Sequence, residues 1–112
     1  MGIELTGVPR FYVLTMTTRY RSFAEAQASA PDDLAAHVTR SRELHAQGVL
    51  LMAGAFLGDE PLRTMGILRS EEDARAYAEG DPFVRAGMVE EWRVRSWAKL
   101  GLRTCCRIPC SP

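Results

Sequence analysis

The stretch Asp32-Asp33-Leu34-Ala35-Ala36-His37-Val38-Thr39-Arg40-Ser41-Arg42-Glu43-Leu44-His45-Ala46-Gln47-Gly48-Val49-Leu50-Leu51-Met52-Ala53-Gly54-Ala55-Phe56 decides how the rest of the chain is read. Its first half has the spacing of an amphipathic helix. Leu34, His37, Val38, Ser41, Leu44 and His45 share one stripe, while Thr39, Arg40, Arg42, Glu43 and Gln47 lie mostly off it. Pro31-Asp32-Asp33 supplies a turn and N-cap carboxylates for the positive end of the helix dipole, and Gly48 supplies the C-terminal stop. The residues that follow predict a strand too apolar to leave either face wet. Both histidines of the protein therefore lie on or beside the buried side of this helix.

Upstream, Phe11 to Thr18 is rich in β-branched and aromatic residues and predicts a strand, with Phe11, Val13, Thr15 and Thr17 on one face and Tyr12, Leu14 and Met16 on the other. Its later threonines, Thr15 and Thr17, are candidates for lining a cavity. Arg19 to Pro31 is either a loop or a short helix. Downstream, Gly58-Asp59-Glu60-Pro61 is turn chemistry, and Leu62 to Leu68 predicts a strand in a hairpin with Val49 to Leu57. Ser70-Glu71-Glu72-Asp73 opens a helix with capping-box spacing, Ala74, Tyr77 and Ala78 form its packing stripe, and Gly80 ends it. Asp81 and Pro82 are the N-cap and first position of a one- or two-turn helix. Val89 to Trp97 is the last strand, with Val89, Glu91, Arg93 and Arg95 on one face and Glu90, Trp92, Val94 and Ser96 on the other.

The order strand, helix, strand, strand, helix, strand predicts an α+β, ferredoxin-like (βαββαβ) domain with an antiparallel sheet over residues 10–100, followed by a C-terminal tail at 101–112. Helices then cover one sheet face. The strands are apolar on both, so the second face is expected to be buried in a homodimer.

With 112 residues and 46% hydrophobic content, a single core is expected. Fourteen basic and fourteen acidic residues leave a formal charge of zero and no overall field for nucleic acid or an anionic membrane. A small-molecule substrate fits better than either, and without a long apolar run the expected location is cytoplasmic. Cys105, Cys106 and Cys110 lack Cys-x-x-Cys spacing and a neighbouring histidine, so they predict a reduced tail and no metal site. Gly54 to Gly58 lacks the Gly-Lys-Ser/Thr ending of a phosphate loop, and no cofactor is expected.

Imidazole gives or takes a proton near neutrality, and a carboxylate partner fixes its tautomer. His37 is thus either an acid/base group or a core-edge histidine bound to a backbone carbonyl. Asp81 is fully explained by capping, a role compatible with pairing. His45, at its helix end, is more simply a C-terminal cation or packing residue.

His37-Val38, the Gly48 to Gly54 strand, the helix opening at Ser70-Glu71-Glu72, and Asp81-Pro82-Phe83-Val84-Arg85-Ala86-Gly87 before a strand together resemble the YCII-related proteins. The resemblance spans about Phe11 to Trp97. It implies a dimeric α+β barrel, related to muconolactone isomerase and a chloromuconolactone dehalogenase, with a histidine and aspartate pair for proton transfer. His37 and Asp81 occupy those positions and are the candidate catalytic residues. Thr15, Thr17, Arg19, Gly54 and Phe83 complete the candidate substrate-binding set.

The chain departs from the family pattern twice. Ala53-Gly54-Ala55 stands where many members read Ala-Gly-Pro, and Leu34 stands where an arginine often precedes the histidine. If that arginine holds an acidic group, this protein uses Arg19, Arg21 or Arg40, or takes a less charged substrate. The resulting expectation is a cofactor-independent enzyme performing isomerisation, elimination or dehydration on a small lactone, enol or polyketide-like acid. The alternative is a non-catalytic ligand-binding or accessory protein of the same fold.

Overall fold

In the computed structural model, which describes residues 4–58 and 60–100, the elements follow as β1 (Arg10–Thr18), α1 (Phe23–Ser29), α2 (Pro31–Ala46), β2 (Leu50–Ala55), β3 (Arg63–Leu68), α3 (Glu71–Glu79), α4 (Pro82–Arg85) and β4 (Val89–Ala98). The tail at 101–112, with Cys105, Cys106 and Cys110, lies outside the described residues. The sheet order is β2-β3-β1-β4 with every neighbouring pair antiparallel, the ferredoxin-like arrangement expected from the element order.

The segment left open between loop and helix is helical, and the reason is local. Ser22 Oγ accepts from Glu25 N at 3.1 Å, and the Glu25 carboxylate reaches back to accept from Arg21 N at 2.9 Å. This close relative of a capping box satisfies one amide of the first turn of α1 and one that lies just before its N-cap. The longer helix starts one step earlier than expected. Pro31 is its first residue, Ala30 is an N-cap without a side-chain bond, and Asp32 and Asp33 sit inside the first turn, where they act through the dipole alone. Gly48 follows the helix at φ +78°, a conformation that disfavours any Cβ.

Leu14, Met16, Leu50, Leu68, Ala74, Tyr77 and Ala78 form the main core between the sheet and α3. Tyr20, Ala26, Leu62 and Phe83 form a second cluster at the α1 and α4 end. The helices therefore cover the face of β1 that carries Leu14, Met16 and Thr18. Thr15 and Thr17 have the opposite parity and lie on the uncovered face with Phe11 and Val13.

A register shift between Thr17 and Thr18 also corrects the reading of β4. Thr17 pairs with Glu91 but Thr18 pairs with Val89, leaving Glu90 as a bulge. Val89 consequently joins Trp92 and Val94 against the core instead of sharing a face with Glu91 and Arg93. On the uncovered face, Trp97 opposite Phe11 is 51% exposed and Met52 opposite Ile67 is 64% exposed. No helix is long and apolar enough to cross a membrane among the described residues.

Candidate active site

The stripe of α2 that reads as a core face walls a cavity instead. None of its residues is fully buried. Leu34, His37, Val38, Ser41, Arg42 and His45 line a space of about 590 Å³ between α2 and the β2–β3 edge of the sheet. Met16, Thr18, Leu50 and Leu62 make its apolar floor, and Tyr77, Asp81 and Phe83 close it from the second crossover. A helix face bordering a cavity needs the same apolar composition as one in a core, so the two share one sequence pattern.

His37 and Asp81, distant in sequence, meet here. His37 Nδ1 lies 2.5 Å from Asp81 Oδ1, and Asp81 is 0% exposed while the imidazole retains 17% exposure. The other carboxylate oxygen, Oδ2, accepts from Phe83 N at 3.0 Å and Val84 N at 3.4 Å, capping α4. One side chain thus performs both roles, each with its own oxygen. The four-residue α4 follows Asp81 directly, so the cap also fixes where the carboxylate sits. Against an ionised carboxylate, which only accepts, His37 Nδ1 is the donor, and in a neutral ring Nε2 is then the acceptor. The ring is held by tilted aromatic neighbours, Phe83 at 5.5 Å and Tyr77 at 6.4 Å between centroids.

Of the candidate substrate-binding residues, Gly54 and Phe83 border the cavity. Thr15 and Thr17 do not, because the strand period sends them to the other side of the sheet, and Met16 and Thr18 occupy the cavity side in their place. Thr18 Oγ1 is itself engaged, donating to Leu62 O at 2.9 Å. Arg19 is turned away, its Nε donating to Gly87 O at 3.1 Å. The other arginines considered as replacements for Leu34 are committed as well. Arg21 pairs with Glu25 at 3.3 Å, and Arg40 donates to the last carbonyls of α3, Tyr77 O at 2.8 Å and Ala76 O at 3.1 Å. Arg42 is a cation on the cavity wall that the sequence reading placed off the stripe.

His45 Nδ1 donates to Leu50 O at 2.8 Å, tying the end of α2 to the start of β2. Three further polar groups escaped the sequence reading as site residues. Ser41 Oγ and Tyr77 Oη are 2.6 Å apart, and Thr64 Oγ1 is buried with no partner among the described residues. Ser41 follows His37 by one helical turn, which is the signal that could have found it. Burial pushes the Tyr77 hydroxyl above the usual tyrosine pKa, against the smaller opposing effect of its bond to Ser41. Among the described residues, no group of three or more His, Cys, Asp or Glu side chains is arranged to hold a metal.

Fold and site together define a ferredoxin-like α+β protein with an apolar cavity whose wall presents an aspartate-held imidazole. The chain belongs to the YCII-related family, whose domain matches residues 11–98. No curated protein sequence matches it. Among solved structures, it is similar to the 5-chloro-2-hydroxyhydroquinone dehydrochlorinase of Burkholderia phenoliruptrix, determined in complex with 2,5-dihydroxybenzoquinone. That likeness has 22% identity and a TM-score of 0.61 and covers 81% of this chain and 95% of the other. A Mycobacterium tuberculosis protein is similar at 14% identity and a TM-score of 0.48, covering 84% of this chain and 98% of its own. A Pseudomonas aeruginosa protein is similar at 17% identity and a TM-score of 0.47, covering 85% and 97%.

Proposed function

We propose that the protein is a cofactor-independent enzyme in which His37 moves a proton to or from a small oxygenated substrate, with Asp81 orienting the imidazole and stabilising it when charged. The observation that carries this reading is the buried Asp81 bound to Nδ1 of a cavity-wall histidine. Burial makes the carboxylate a rigid partner, and its second oxygen is fixed by the α4 amides, so the imidazole is preorganised. A cavity that is largely apolar strengthens any charge interaction inside it and excludes competing water.

Isomerisation, elimination and dehydration all need such a proton shuttle and no redox partner. The dehydrochlorinase to which the fold is similar gives elimination of hydrogen chloride from a chlorinated hydroxyhydroquinone a place beside lactones and enol acids as test substrates. The functional unit in this reading is a homodimer closed over the face bearing Phe11, Val13, Met52 and Trp97, since none of the helices among the described residues covers it.

The test is turnover across a panel of small lactones, enol acids and chlorinated hydroxyhydroquinones. His37→Ala should lower turnover about 100- to 10,000-fold with a modest change in melting temperature. Undiminished turnover by that variant would refute the reading. A second reading, ligand binding without turnover, is favoured by Leu34 and by the commitment of Arg19, Arg21 and Arg40 to other partners. Saturable binding of panel members with no reaction would select it.

A further inference from the structure

Ser41 and Tyr77 share the cavity with His37, and their hydroxyls lie 2.6 Å apart. The direction of that bond follows from what each hydroxyl could otherwise reach. Tyr77 is 3% exposed, and Ser41 Oγ is the partner its hydroxyl has among the described residues. If Ser41 donated, the Tyr77 proton would be buried without an acceptor, which is unfavourable. Tyr77 therefore donates and Ser41 accepts. The phenol is held by Arg40, which donates to the Tyr77 carbonyl and places its guanidinium 5.2 Å from the ring centroid.

Ser41 keeps its own O–H, which finds no acceptor among the described residues. One helical turn, a rise of roughly 6 Å, separates it from His37 on the same wall. A hydroxyl that already accepts a hydrogen bond is a stronger donor. The cavity wall thus offers an acceptor, His37 Nε2, beside a polarised donor, Ser41 Oγ.

We propose that Ser41, positioned by Tyr77, donates a hydrogen bond to the substrate oxygen that gains negative charge as His37 takes the neighbouring proton, so that the site accepts enolisable carbonyl compounds and vicinal dihydroxy compounds. This rests on the acid/base reading of His37. In the enolisable case, Nε2 takes the proton from the carbon next to a carbonyl. The C–H electron pair becomes a C=C bond, and the carbonyl π pair moves onto oxygen, where the Ser41 O–H meets it. The proton on the imidazolium then returns to the product, so atoms and electrons balance without a further reactant. An interaction that strengthens as charge develops accelerates the step instead of only tightening binding.

The test uses 4-nitrocatechol, a coloured compound whose adjacent oxygens can meet His37 and Ser41 together and whose ionisation changes its absorbance. At a pH below the probe's own first pKa, where it is neutral in free solution, the wild-type protein should bind it in the ionised form. Ser41→Ala should weaken binding about tenfold, and Ser41→Thr, which keeps the hydroxyl, should restore it to within about twofold. Tyr77→Phe should weaken binding about threefold in the wild-type background and add nothing in the Ser41→Ala background, because Tyr77 acts through Ser41. Unchanged binding by folded Ser41→Ala, or additive effects of the two substitutions, would overturn the proposal while leaving His37 untouched. Failure of the wild-type protein to bind at millimolar concentration would overturn the proposed ligand class. If His37→Gln leaves the bound probe equally ionised, the acid/base reading itself falls.

Discussion

Asp81→Asn separates capping from chemistry, because the two carboxylate oxygens have different partners. Oδ2 accepts from the Phe83 and Val84 amides, and Oδ1 faces His37 Nδ1. Asparagine has one oxygen and one NH2 group. The amides of α4 are donors, so the oxygen must remain with them and the NH2 must turn to His37. A donor facing Nδ1 forces the ring proton onto Nε2, and the acceptor that the proposed mechanism uses becomes a donor. Asparagine caps nearly as well as aspartate, so the helix start loses little. Exchanging a charge-assisted bond for a neutral one costs about 1 kcal/mol, which for a domain of this size lowers Tm by about 4–8 °C. Activity should fall far more, about 1,000- to 10,000-fold, because the base is then in the wrong tautomer. Long-range 15N–1H correlation spectra, recorded where the ring is neutral, distinguish the two forms. The expected result is Nδ1–H in the wild-type protein and Nε2–H in the variant. Nε2–H in the wild-type protein, or a variant that keeps both Nδ1–H and full activity, would refute this reasoning.

Thr64→Val removes the buried hydroxyl that has no partner and keeps the side-chain shape, so thermal melting should show a gain of about 1 kcal/mol; a lower Tm would show that the hydroxyl is satisfied in solution. Burial raises the Tyr77 pKa in the folded state, so folded protein holds that proton more tightly than unfolded chain. Its effect on stability should be flat through neutral pH and decline above about 10, where the unfolded chain ionises first, and Tyr77→Phe should flatten that alkaline slope in denaturant titrations. Light scattering at low micromolar concentration should report a dimer for the wild-type protein and a monomer for Trp97→Glu, which places charge on the uncovered face. A monomeric wild-type protein would remove the basis for the barrel.

The order of the elements was legible because each boundary carries its own chemistry, as at Gly48, Ser70 and Asp81 with Pro82. The α1 signal, Ser22 with Glu25, was present as well, in a segment left open. Which face of β1 the helices cover was not legible. Leu14 and Met16 on one side and Phe11 and Val13 on the other are equally fit for burial, so parity could not choose between Thr17 and Thr18 as a cavity residue. The bulge at Glu90 has no glycine or proline to announce it, yet it decides that Val89 faces inward. The α2 stripe was visible as a stripe, but apolar spacing does not say whether a core or a cavity lies beyond it. His37 and Asp81 could be paired through their motif positions. The division of labour between the two Asp81 oxygens is a matter of geometry that no spacing encodes.

The proposed proton transfer at His37 can be tested without knowing the natural reaction, through exchange of carbon-bound hydrogen with solvent deuterium. Small enolisable lactones and β-dicarbonyl compounds incubated with the protein in D2O should lose their acidic C–H signals in proton NMR spectra faster than in buffer. In His37→Gln that acceleration should fall about 100-fold or more while the protein remains folded. Equal acceleration by wild-type protein and folded His37→Gln would contradict the assignment of the proton-transfer role to His37.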